Sequence, residues 1–284
     1  MKVDIAHLQQ WVGKSEGRVE RLAAFPANAL SATLDRKDPP FVDGSPLPPL
    51  WHWLYFLPIH RMSEVGPDGH AERGGFLPPV PLPRRMWAGS RFRFHHPLRV
   101  GETVQRESRV LSVEHKAGRS GDLVFVRVEH TFSNTHGLAL SEEHDIVYRE
   151  AAEPGAQPPA VKPAPLDAAW ERTVRPGPVQ LFRYSALTFN SHRIHYDRSY
   201  VTEVEGYPGL VVHGPLIATL LIDLLRRECP EATISDFSFR AAKPLFDTEE
   251  FAVCGAPNED GKTVHLWTRD TGGALTMEAR ATLA

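Results

Sequence analysis

Residues 206–225 read GYPGLVVHGPLIATLLIDLL, and the placement of the apolar run at their end decides the fold. From Pro215 to Leu225 only Thr219 and Asp223 are polar. A helix here has almost no wet face and is expected to be buried nearly all round. Pro215 suits the first helical position, Gly214 the flanking non-helical one, and Arg226 and Arg227 the C-terminal end, where positive charge complements the dipole. At the other end the amides of Gly214, Leu216 and Ile217 are expected to lack partners within the helix, and the dipole suits them to a developing negative charge.

Upstream, residues 184–197 read YSALTFNSHRIHYD. Asn190, His192, Arg193, His195, Tyr196 and Asp197 crowd one short segment after the strand-like LFRYSALTF, a density that suggests a site. Any one of these side chains alone reads equally well as a turn cap or a partner for buried backbone. Spacing alone names no reaction.

The segment Phe189-Asn190-Ser191-His192-Arg193-Ile194-His195 resembles the overhang of MaoC-like (R)-specific enoyl-thioester hydratases, commonly G-D-x-N-P-x-H. Gly209 to Gly214 resembles their glycine and His-Gly helix entry. The resemblance implies an α+β double hot-dog fold, in which each unit is a long antiparallel sheet wrapped around a buried central helix. It also implies His195 as the catalytic histidine and the Gly214 amide as the group that polarises the thioester carbonyl. Asn190 stands where the commonest pattern has a catalytic aspartate, and Arg193 replaces its proline. The form FNSHRIHYD with GYPGLVVHGP is most similar to a branch that includes mitochondrial hydroxyacyl-thioester dehydratases and hydratases forming citramalyl-CoA from mesaconyl-CoA or itaconyl-CoA.

The 284 residues suit two domains of common size. A formal charge of −3 leaves no basic footprint for nucleic acid. The two cysteines, Cys229 and Cys254, form neither a CxxC nor a ligand series. The start, MKVDIAHLQQW, lacks the apolar core of a signal peptide, and no apolar run approaches the roughly 20 residues of a membrane span. A cytoplasmic protein without membrane partners follows as the expectation, and the resemblance adds a homo-oligomer, dimer or larger.

Residues 1–150 are expected to form a first hot-dog unit with a degenerate site, 151–169 a Pro/Ala-rich linker, and 170–284 a second unit carrying the motif. Within the first, residues 4–35 read as helical, and the aromatic run between Pro49 and Pro58 as its buried helix. Residues 66–90 read as a long loop made basic by Arg73, Arg84 and Arg85, either a solvated turn or a flap touching the acyl group or the coenzyme A diphosphate. Alternation then predicts strands in RFRFHHP, TVQRESRVLSVEH, DLVFVRVEHTFSN and ALSEEHDIVYRE. In the second unit QLFRYSALTF is read as a strand, and TISDFSFRAAKP, EEFAVCGAP, KTVHLWTRD and ALTMEARATLA as the strands after the helix. No counterpart of FNSHRIH occurs in the first half.

Hydration of an enoyl thioester needs an oriented water, a proton carrier and a donor for enolate charge on the thioester oxygen. The resemblance assigns proton transfer to His195 and the oxyanion contact to Gly214. Asn190 orients the water or the histidine, and Asp197 supplies the missing carboxylate if it reaches His195 or is a surface turn residue. His192, His213, Tyr196, Arg84 and Arg85 are candidate substrate contacts. Arg193 either binds a free carboxylate of the substrate, favouring mesaconyl-CoA or itaconyl-CoA, or pairs with Asp197. The fatty-acid-type (3R)-hydroxyacyl-thioester dehydratase is the alternative substrate reading. His192, His195 and His213 invite a metal, but no carboxylate or HExxH pattern completes the set, and neither metal nor cofactor beyond the coenzyme A of the substrate is expected. A hot-dog thioesterase or a non-catalytic acyl-thioester-binding protein is the alternative class. A GxSxG elbow is absent.

Overall fold

A computed structural model describes residues 3–118, 121–150 and 161–284. Its helices are α1 (Ile5–Leu8), α2 (Ala24–Thr33), α3 (Pro178–Leu187) and α4 (Gly214–Glu228). The strands of the N-terminal half are β1 (Ser15–Arg21), β2 (Arg84–Phe94), β3 (Thr103–Gly118), β4 (Gly121–Asn134) and β5 (Gly137–Arg149). Those of the C-terminal half are β6 (Trp170–Val174), β7 (Ile234–Ala241), β8 (Phe251–Pro257), β9 (Thr263–Asp270) and β10 (Leu275–Leu283). They join in one sheet of order β1-β3-β4-β5-β2-β7-β10-β9-β8-β6. The two halves meet where β2 pairs antiparallel with β7, Gly89 opposite Arg240 through Arg93 opposite Asp236. This is the double hot-dog architecture.

Helix α4 is the buried centre. Every residue from Leu216 to Leu225 is buried, and each large apolar side chain among them contributes about 2 kcal/mol by leaving water. The helix lies against β6, β8, β9 and β10. Its two polar residues are satisfied: Thr219 Oγ1 donates to the Pro215 carbonyl at 2.8 Å, and Asp223, 1% exposed, receives three guanidinium groups. Arg36 from the turn after α2 reaches Oδ1 at 2.5 Å, while Arg172 of β6 and Arg227 one helical turn on reach Oδ2 at 2.8 Å each. The carboxylate thus ties the two halves of the chain.

The N-terminal half has no such helix. The segment expected to supply one carries a single 3₁₀ turn, Trp51–Leu54, because Pro48 and Pro49 precede it and Leu50 and Phe56 take left-handed conformations at φ 70° and 55°. Trp51, Tyr55 and Phe56 are buried as expected, Trp53 is half-buried, and the concave face of β2–β5 is left partly unfilled.

Other expectations need correction. Residues 4–35 are not helical throughout: Gly13, at φ 87°, turns the chain into β1, an edge strand whose alternation lies among polar residues and pairs with β3 from Ser15 opposite Arg109 to Arg21 opposite Thr103. QLFRYSALTF is helix α3, started by Pro178 at its first turn, with Leu181, Tyr184 and Ser185 buried at helical spacing. The short edge strand β6 precedes it. The loop read at 66–90 ends at Arg84, where β2 begins. Most of the linker read at 151–169, like residues 119–120 of the β3–β4 turn, falls outside the described residues. From 161 onward that segment is docked, Ala164 N donating to Gly273 O at 3.0 Å and Ala169 N to Gly255 O at 2.9 Å.

Candidate active site

The chain leaves α3 through Phe189, left-handed at φ 48°, and Asn190 N returns to the Ser185 carbonyl at 2.8 Å. Asn190 Oδ1 accepts from His192 N at 3.0 Å, an Asx turn that aims the following residues. Asn190 lines the cavity as well, and no hydrogen bond joins its side chain to His195, whose Nδ1 is taken by the Val211 carbonyl. Arg193–His195 then form one 3₁₀ turn, and Ile194 O accepts from Val211 N at 2.9 Å, docking the overhang beside the entry to α4.

That docking fixes the tautomer of His195. Its Nδ1 lies 2.7 Å from the Val211 carbonyl, which can only accept, so Nδ1 carries the proton and Nε2 is bare. Burial, opposed only by that hydrogen bond, pulls its pKa down to about 4, so the ring is neutral at pH 7. Below it His213 stacks at 3.7 Å between ring centroids. His213 is fully buried, with Nε2 2.8 Å from Ser185 Oγ and Nδ1 unpartnered. Burial, reinforced by His195 and His192, drives its pKa well below the ordinary value. His213 is therefore a neutral floor under His195 and, expected among the substrate contacts, is buried away from the cavity lining.

The helix entry is one residue earlier than expected. His213 is the N-cap, and Ile217 N already donates to its carbonyl at 3.0 Å, leaving the amides of Gly214 and Leu216 free among the described residues. A side chain at Gly214 would meet nothing within 4 Å, and Gly214 lines a cavity of about 980 Å³ together with His195, His192, Asn190 and Tyr196.

Arg193 and Asp197 stand outside that cavity. Arg193 sends Nε and Nη2 to Asp197 Oδ2 at 3.0 and 2.8 Å and Nη1 to Pro67 O at 3.0 Å, and lies 4.1 Å over the Tyr200 ring. Asp197 Oδ1 accepts from Tyr200 N at 3.0 Å. Neither is hydrogen-bonded to His195, and of the alternatives for Arg193 and Asp197 the structure matches their pairing with each other across a 3₁₀ turn. Tyr196 lines the cavity with its hydroxyl on Ser191 O at 3.0 Å. Arg84 lines it too, tied to Tyr207 Oη at 3.0 Å and Glu205 at 3.4 Å. Arg85, on the neighbouring position of β2, lines the cavity with no acidic partner among the described residues.

A sequence profile of the hydroxyacyl-thioester dehydratase type 2 family matches residues 50–247. The chain is 47% identical over 273 residues to the mesaconyl-C(4)-CoA hydratase of Chloroflexus aurantiacus, covering 96% of each chain. The protein belongs to the hydroxyacyl-thioester dehydratase type 2 family. A mitochondrial member from Schizosaccharomyces pombe is 28% identical over 78% of this chain and 80% of its own. A MaoC-like dehydratase from Phytophthora capsici superimposes with a TM-score of 0.70 over 99% of both chains at 15% identity, a likeness of fold alone.

Two groups in this dehydratase-family site escaped the sequence reading. In β5, Leu140, Glu142, His144, Ile146 and Tyr148 share the face turned to the core, and that alternation was the available signal for a buried carboxylate. Glu142, 2% exposed, accepts from His52 Nε2 and Trp53 Nε1 at 3.2 Å each and from Ser90 Oγ at 3.2 Å. Burial alone pushes Glu142 upward, but the His52 hydrogen bond and neighbouring histidines outweigh it and hold the carboxyl at about 2. His130 and His144, pulled down by burial to about 3 and 4, complete this polar floor of the cavity. The second group is Asp68 with His70, from the loop in which only the arginines drew notice. With His192 they offer three ligating atoms within 4.8 Å of one another, but both Asp68 oxygens are bonded to His70, so the trio is arranged as a hydrogen-bonded pair beside a tilted ring.

Proposed function

We propose that this protein reversibly hydrates an enoyl-CoA thioester bearing a free carboxylate, of the mesaconyl-C(4)-CoA type, to a citramalyl-CoA type product. The observation that carries the reading is the fixed tautomer of His195 beside the free amides that open α4. A neutral imidazole with its proton held by Val211 presents a bare Nε2 to hold the attacking water. The Gly214 amide, at the positive end of the helix dipole, is aimed at the thioester oxygen, where enolate charge develops. A preorganised donor of this kind is worth about 3–4 kcal/mol in the transition state. The 47% identity to the Chloroflexus enzyme along nearly the whole chain supports the choice of substrate.

In such a substrate the double-bonded carbon that takes the hydroxyl also bears the carboxylate, so the anion's receptor belongs close to the proton-transfer groups. Arg85 suits that role, because its charge acts on His70, His192 and His144 at once and no acidic side chain among those described neutralises it. The polar floor of Glu142, His130 and His144 suits a short polar acyl group better than a long aliphatic one.

The test is a panel of enoyl thioesters given to the pure protein, followed by loss of enoyl absorbance and by thiol titration. Preferred turnover of mesaconyl-C(4)-CoA without thiol release, insensitive to chelator, is expected. Preference for a neutral medium or long chain makes the protein a dehydratase of the fatty-acid type, a reading the cavity volume favours. Thiol release with the enoyl absorbance intact makes it a thioesterase.

A further inference from the structure

A carboxylate–histidine pair from the N-terminal half reaches the site. Residues 66–72 fold into a tight turn, with Gly66 N donating to His70 O at 2.7 Å and Val65 bridged to Ala71. This turn is clamped to the overhang through its main-chain carbonyls. Arg193 N donates to Asp68 O at 2.9 Å, Ser191 Oγ to Gly69 O at 2.5 Å, and Arg193 Nη1 to Pro67 O at 3.0 Å. Contact is so close that a Cβ on Gly69, at φ 88°, would lie 1.8 Å from Ser191 O. The clamp delivers His70 to the cavity wall with its ring 3.9 Å from that of His192, which is in turn 5.4 Å from His195.

His70 is oriented as an acid–base histidine. Asp68 Oδ1 accepts from His70 N at 3.0 Å and Oδ2 lies 3.1 Å from His70 Nδ1. The carboxylate, held ionised by these bonds, accepts only, so Nδ1 carries the proton and Nε2 is free. We propose that His70, held by Asp68, is the group that moves the proton in this site; the proposal rests on the hydratase reading. As the water oxygen bonds to the β-carbon, an O–H bond breaks and its proton passes to His70 Nε2. The π pair moves toward the α-carbon and the thioester oxygen, where the Gly214 amide meets it. Asp68 balances the imidazolium, which returns the same proton to the α-carbon as the enolate collapses. His195 Nε2 accepts a hydrogen bond from the water's other hydrogen and stays neutral. One water is added, and no net proton is lost or gained.

The groups facing His70 are Asp68 and Arg73 from its own loop, Arg85 from β2, and His192 and His195 from the overhang. Asp68 favours the charged ring, while burial and the cations favour the neutral one, so His70 rests as a base. Turnover therefore falls as pH drops through the pKa of His70. Removing the Asp68 charge lowers that pKa and moves the acid limb to lower pH.

The test compares His70→Ala, His70→Gln and Asp68→Asn with wild type on mesaconyl-C(4)-CoA, alongside ¹⁵N spectra of the imidazoles. His70→Ala and His70→Gln are expected to lose 100-fold or more in kcat with KM within a few-fold. Asp68→Asn is expected to lower the plateau and shift the acid limb downward, a change that a merely structural role would not produce. Wild-type spectra should show His70 protonated at Nδ1, a tautomer lost in Asp68→Asn. Retention of more than a tenth of kcat in either His70 variant, an unmoved acid limb, a proton on Nε2 of His70, or turnover abolished by chelator and restored by a divalent metal overturns the proposal. The spectra are read without turnover, so failure of the dyad and failure of the hydratase reading are told apart.

Discussion

Gly69→Ala tests the clamp between the loop and the overhang with the smallest change available. The substitution adds one methyl group, yet its Cβ would sit 1.8 Å from Ser191 O and 2.8 Å from Ser191 C. Both are backbone atoms, so no rotamer relieves the overlap, and the turn must lift by about 1.5 Å to reach an ordinary contact near 3.4 Å. A left-handed alanine costs about 1–2 kcal/mol, and loss of the two bonds from Ser191 Oγ and Arg193 N costs about 1 kcal/mol each. The strain of some 3–4 kcal/mol falls on one short turn outside the sheet, so it should separate the loop from the overhang and leave the sheet folded. Displacing a catalytic group by about 1 Å is enough for a 100-fold loss. Expected, then, are a kcat reduced about 100-fold and a melting temperature lowered by only a few degrees. Gly75→Ala is the control, because nothing lies within 4 Å of its Cβ and its φ is not positive. The reasoning is refuted if Gly69→Ala turns over within threefold of wild type, or if Gly75→Ala is equally impaired.

His195→Ala should lose about 10²–10⁴ in kcat with the fold intact by circular dichroism. Asn190→Asp should keep measurable turnover, since a carboxylate still accepts from His192 N, whereas Asn190→Ala should lose more; equal rates would dismiss the turn as a positioning device. Arg85→Met should raise KM for a carboxylate-bearing enoyl thioester tenfold or more and leave crotonyl-CoA nearly unchanged. Equal losses on both would assign Arg85 to the coenzyme A moiety instead. Asp223→Ala leaves the half-buried guanidinium groups of Arg172 and Arg227 without their anion and Arg36 with Asp38 alone, and should cost about 3–5 kcal/mol, read as a melting temperature lower by roughly 10 °C.

The elements legible in the sequence were those whose pattern is set by burial. Helix α4 announces itself because ten successive residues are buried, and the strands of both meanders because one face of each is wet. What was missed obeys other rules. β1 and β6 are edge strands with little apolar alternation to read. In α3 a mixture of aromatic and polar residues matched either period, and Pro178 was the better guide. Arg193 and Asp197 are four apart and pair with each other, which follows once the chain between them is a helical turn. The Asp68–His70 pair depends on contact between the loop at 66–72 and the overhang at 191–193, more than a hundred positions apart, and no local pattern encodes such a contact.

The unequal halves explain why the site needs the whole chain. The C-terminal half keeps its central helix and so owns the dipole, the free amides and the floor beneath His195. In the N-terminal half Pro48, Pro49 and the left-handed Leu50 reduce the corresponding helix to four residues, leaving the concave face of β2–β5 open to the cavity. The segment after that turn is then free to cross to the overhang, where Arg193 N donates to the Asp68 carbonyl. Absence of the helix and arrival of Asp68 and His70 are on this view one structural change, because a full central helix would fill the cavity that His70 faces.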